Sequence, residues 1–139
     1  MLSRRTISRL RKIKAKILEE PNQFDMFYWR KTNNVRFVLG ATACNTTHCI
    51  GGWGILLFKP KSYIKNSCGG IFPKNRTLST GELASKALGL TYRQSVVLFH
   101  HNSWPKIFMD RYLEAVTPLE QTQVAAEYID SFINHRSRA

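Results

Sequence analysis

The sequence predicts a mainly α protein, a compact single domain of five or six helices with at most a small β-hairpin. Three observations predict it. Residues 79–135 carry repeated helix start and stop signals. Residues 3–20 repeat apolar side chains at helical spacing. A chain of 139 residues, 43% hydrophobic and 12% aromatic, suits one domain whose folding buries roughly two-thirds of the unfolded surface.

The first element is a basic helix over 3–20. Ile7, Leu10, Ile13 and Ile17 form its apolar face, with Leu18 alongside. Arg5, Arg9, Lys12 and Lys16 form a stripe on the opposite side, and Pro21 ends the helix. Phe24, Met26, Phe27, Tyr28 and Trp29 follow and are expected to pack beneath it. Val35 to Leu39 suit a short strand.

A central apolar helix is expected over 48–58, with Thr46 or Thr47 as its N-cap. Gly51, Gly52 and Gly54 would weaken it by roughly 1 kcal/mol each, so their use should be the close approach of another backbone. Residues 59–77 form a loop or hairpin region with five basic residues. Four helical segments then fill 80–135. Ser79 to Glu82 is a capping box, and Gly89 closes that helix. Thr91 to Gln94 is a second capping box, opening a helix to about His101. Trp104-Pro105 starts the third, and Thr117-Pro118 the last, with Ala125, Ile129, Phe132 and Ile133 inward.

Charge narrows the function classes. The net charge is +12, and residues 1–76 carry 15 of the 21 basic residues but three of the nine acids. The remainder is neutral. A one-sided basic field favours an anionic partner: nucleic acid, an acidic protein face or an anionic membrane surface. No segment reaches the roughly 20 apolar residues of a membrane span. The N-terminus lacks the apolar stretch of a secretory signal, and its basic helix runs on into Glu19-Glu20 rather than ending as a presequence. Three cysteines cannot all pair within one chain, which points to a reducing, cytoplasmic setting.

Three motifs invite chemistry. Cys44, His48 and Cys49 cluster metal-ligating side chains, with Cys68, His100 or His101 available as a fourth ligand, but the usual C-x2-C spacing is absent. The same residues suit a thiol enzyme, with a cysteine at a helix N-terminus and His48 as base, although no acid orients the histidine. Against both stands a plainer reading, in which Cys49 is a small core residue and the neighbouring threonines cap the helix. Residues 80–101 have the order helix, glycine turn, helix of a DNA reader. There Val96, Val97, Leu98 and Phe99 suit a core better than a groove. Trp29 beside Arg30 and Lys31 suits base stacking next to a phosphate contact.

The segment CNTTHCIGGW, from Cys44 to Trp53, resembles a C-x-T-x-H/A-C-x-A/G-G-W pattern of small, uncharacterised bacterial and phage proteins. Asp25 to Trp29 resembles the D-M-x-x-W segment that precedes it in them, and residues 87–108 resemble their A-L-G-L-T…L-F…W-P run. The resemblance spans roughly residues 10–135 and implies a shared fold and a bacterial or viral setting, with no activity attached. The basic first helix lies outside the pattern.

The sequence therefore predicts a non-enzymatic binding protein without a cofactor. Arg5, Arg9, Lys12, Lys16, Arg30 and Lys31 are its candidate contacts to nucleic acid or a ribonucleoprotein. The alternatives are a phage or bacterial regulator binding an acidic protein face, and a thiol enzyme or small metalloprotein using Cys44, His48 and Cys49.

Overall fold

The computed structural model describes residues 1–26, 31–32, 46–47, 49–65 and 71–136. Among them six α-helices dominate, as the sequence predicts: α1 (Arg4–Glu19), α2 (Ile50–Phe58), α3 (Thr80–Leu88), α4 (Tyr92–Phe99), α5 (Lys106–Glu114) and α6 (Pro118–Arg136). Two antiparallel strand pairs accompany them. Strand β1 (Lys31–Thr32) pairs with β2 (Thr46–Thr47), and β3 (Tyr63–Lys65) pairs with β4 (Ile71–Pro73). The strand expected at 35–39 lies outside the described residues, as do Phe27 to Trp29. No described helix is long and apolar enough to cross a membrane.

Helix α1 starts where a side chain can close it. Ser3 caps it by accepting the Thr6 N–H at 3.1 Å. Its buried face is Thr6, Leu10, Ile13 and Ile17. Ile7, expected inside, is half-buried at the edge, and Thr6 takes its place. The helix lies on α6, to which the Lys14–Asp130 ion pair ties it at 2.6 Å.

Helix α2 begins two residues later than its sequence suggests. Thr46 and Thr47 are extended and pair with Lys31 and Thr32, so neither caps the helix. Cys49 does, its Sγ accepting the Gly52 N–H at 3.4 Å. A thiol suits this position because the cap is buried, where a stronger polar group would cost more to desolvate. Residues Ile50 to Ile55 are buried, and Trp53 is 6% exposed with its indole N–H donated to the Gln23 carbonyl. A Cβ on Gly54 would sit 3.2 Å from Leu88 Cγ. The glycine thus admits a side chain of α3, where the sequence suggested another backbone.

Both predicted capping boxes form, at Ser79–Glu82 and Thr91–Gln94, and Gly89 closes α3 with a φ of +71°. In α4, Leu98 and Phe99 are buried and Val96 and Val97 half-buried, so most of the would-be reading helix serves the core. Behind it Trp104, Tyr112 and Tyr128 form an aromatic cluster, with ring centroids 4.7 Å apart for Trp104–Tyr128 and 5.5 Å for Trp104–Tyr112. Each polar tip is satisfied. Trp104 donates to the Leu98 carbonyl, Tyr128 donates to the Val97 carbonyl, and Tyr112 Oη accepts the Met26 N–H. Burial pushes the Tyr128 phenol up to about 12.

Candidate anion-binding face

The basic stripe of α1 divides in two. Arg5 and Lys12 are exposed. Arg9 and Lys16 are half-buried and have partners within the protein. Arg9 donates from Nη1 to the Ala87 carbonyl at the end of α3, and its guanidinium lies 4.9 Å from the Phe58 ring centre. The last carbonyls of a helix lack intrahelical partners and carry the negative end of its dipole, so a guanidinium there is doubly favourable. Lys16 pairs with Glu20 at 2.5 Å and Glu19 at 3.8 Å, and lies 5.6 Å from the Trp53 ring centre. The hydrogen-bonded Glu20 carboxylate is the main cause that holds its ammonium above the ordinary value, against some desolvation. Arg30 is outside the described residues, and Lys31 is described only as a backbone position in β1.

Arg9 also lies near a second group of cations. Phe58 and Ala87, which it touches, are the chain neighbours of Lys59 and Lys86. These two lysines line a pocket of about 350 Å³ with Lys61, Ser62, Lys74, Asn75, Leu78 and Leu83. Local structure explains the convergence. Helix α2 ends at Phe58, and the Ser62 N–H donates to the Lys59 carbonyl in a tight turn. The Lys74 N–H then donates to the Ser62 carbonyl at 2.9 Å, closing the base of the β3–β4 hairpin and bringing Lys74 beside Lys59 and Lys61. Asn75 accepts both the N–H and the hydroxyl of Thr77 on its Oδ1, turning the chain toward α3 and Lys86.

The ion pairs among the described residues lie elsewhere. They join Lys14 to Asp130, Lys16 to Glu19 and Glu20, Lys106 to Asp110, and Arg111 to Glu127. Among the described residues no carboxylate lines the lysine pocket. Glu82, on the same helix as Lys86, is held in its capping box, where the Ser79 N–H and hydroxyl chiefly, and Lys86 in lesser part, keep its carboxyl below the usual value.

A second cleft of about 400 Å³ lies between α3 and α4, with Tyr92, Val96 and Phe99 on its walls and Lys86 on its border with the first. The Ser85 and Ser95 hydroxyls meet inside it at 2.5 Å, one donating to the other while the second donates to a carbonyl of its own helix, so they offer little to a ligand.

Of the cysteine motif, Cys44 and His48 lie outside the described residues. Cys49 is buried, and desolvation pushes its thiol up to about 11 although the N–H groups at the start of α2 pull the other way. At neutral pH it is a thiol, not a nucleophilic thiolate. Among the described residues no three His, Cys, Asp or Glu side chains gather to hold a metal.

The sequence missed the lysine pocket. Five basic residues between 59 and 77 were its only local signal, and Lys86 is invisible as a member until α3 is placed against the hairpin. No family model, curated protein or solved structure matches the chain.

Proposed function

We propose that the protein binds nucleic acid, alone or within a ribonucleoprotein, by contacts to its phosphates. One observation carries the reading: exposed cations from three separated segments, Arg5 and Lys12 on α1, Lys61 and Lys74 at the hairpin, and Lys86 on α3, have no salt-bridged carboxylate among the described residues, and those of the hairpin and α3 share one pocket. A folded chain gains nothing from like charges brought together, and where it needs ion pairs for its own packing it has them. An unneutralised basic face supplies the sequence-independent attraction on which phosphate-backbone binding rests. A cytoplasmic location and the bacterial or phage setting implied by the Cys44 to Trp53 resemblance are part of the same proposal.

The test is the affinity for a 5′-hydroxyl oligonucleotide as a function of salt, for the wild type and for Arg5→Gln/Lys12→Gln. The wild type should bind with a steep negative salt slope, and the double variant should lose about one unit of slope per contact removed with an unchanged melting temperature. A wild type that binds no oligonucleotide, yet retains a protein partner that competing DNA does not displace, would move the assignment to an acidic protein face.

A further inference from the structure

We infer that the lysine pocket between the β3–β4 hairpin and α3 is a site for a terminal phosphate, a phosphomonoester at the end of a strand. This rests on the nucleic-acid reading and adds to it a preference for ends. Four lysines, Lys59, Lys61, Lys74 and Lys86, line one concavity together with the buried Leu83. Asn75 contributes no acceptor, because its Oδ1 is occupied by Thr77, which leaves the amide N–H groups as its remaining polar function. The charged lining is thus entirely hydrogen-bond donating.

That chemistry selects its ligand. Lysine ammoniums are compact point charges with three donors each, and several of them can surround a tetrahedral anion with many acceptor oxygens. A concave site with low-dielectric walls focuses the field of its charges. A terminal phosphate carries close to two charges at neutral pH and three free oxygens. An internal diester carries one charge, and the chain on both of its sides must enter and leave the concavity.

The experiment compares one oligonucleotide with a 5′-phosphate or a 5′-hydroxyl, against the wild type and Lys61→Gln/Lys74→Gln/Lys86→Gln, with inorganic pyrophosphate titrated separately. The wild type should bind the 5′-phosphorylated strand about tenfold more tightly, and the triple variant should bind both strands alike. The three lysines are exposed, so the variant should melt no lower than the wild type. Lys86→Gln alone serves should the triple variant fail to fold, with part of the preference lost. Equal wild-type affinity for the two strands overturns the inference and leaves the nucleic-acid reading standing. Should neither strand bind, the nucleic-acid reading falls. Saturable pyrophosphate binding that the triple variant loses would then support a terminal-phosphate site for a smaller ligand, and its absence would overturn the site as well.

Discussion

Replacing Arg9 with glutamine separates the structural cations of α1 from the free ones. Arg9 and Arg5 are one turn apart on the same stripe, but of the two Arg9 alone has a partner among the described residues. A hydrogen bond from a charged group is worth about 1.5–3 kcal/mol. Placing that charge at the C-terminal carbonyls of α3 adds about 0.3–1 kcal/mol, and its seat 4.9 Å from the Phe58 ring adds about 0.5–1 kcal/mol. These contributions share one charge and a half-buried site, and glutamine can keep a weaker hydrogen bond to Ala87. A net loss of about 2 kcal/mol is therefore expected, where Arg5→Gln should stay within about 0.5 kcal/mol. For a chain of this length that loss lowers the melting temperature by about 5–10 °C. The assay is thermal unfolding followed by far-ultraviolet circular dichroism, with urea unfolding to confirm an unchanged m-value. The reasoning fails if Arg9→Gln melts within about 1 °C of the wild type. A fourfold Arg5, Arg9, Lys12, Lys16 to glutamine variant is accordingly a poor probe of binding, since it removes two residues that hold the fold.

Two further outcomes follow from the packing. Gly89→Ala should destabilise by about 2–4 kcal/mol, measured by urea unfolding: it forces a side chain into a left-handed backbone at φ +71°, and the new Cβ would lie 2.8 Å from Thr6 Oγ1, whose hydroxyl donates to the Leu88 carbonyl at 2.6 Å; a loss below about 0.5 kcal/mol would contradict this. Cys49 should resist iodoacetamide at pH 8 in the native protein, with its peptide alkylated at full rate only in urea, and alkylation at the same rate in both would refute its burial. Because the native thiol titrates near 11 and an ordinary one near 9, the unfolded chain loses its proton first, so this residue's contribution to stability is full below pH 9 and falls by about 1.4 kcal/mol per unit as the pH rises toward 11. Cys49→Ala should flatten that part of the pH–stability curve.

The sequence by itself determined the order of the helices, and the starts of α3 and α4 and the end of α3, because capping is local. Ser79 and Glu82, Thr91 and Gln94, and the glycine at 89 need only each other and the backbone between them. Burial of Trp53 and the inner face of α6 were legible for the same reason, since an apolar run or a helical period has few ways to avoid the core. The tertiary structure decided what depends on neighbours distant in the chain. Cys49 caps α2 in place of Thr46 or Thr47 because those threonines find a strand partner at Lys31 and Thr32. Arg9 is structural and Arg5 free because the carbonyl of Ala87, 78 residues away, comes to one and not to the other. Lys59, Lys61, Lys74 and Lys86 become one pocket only when the hairpin closes and α3 packs beside it. Sequence assigns a side chain its charge, but whether that charge is desolvated, neutralised or left open to a ligand is set by which groups the fold brings within a few ångströms of it.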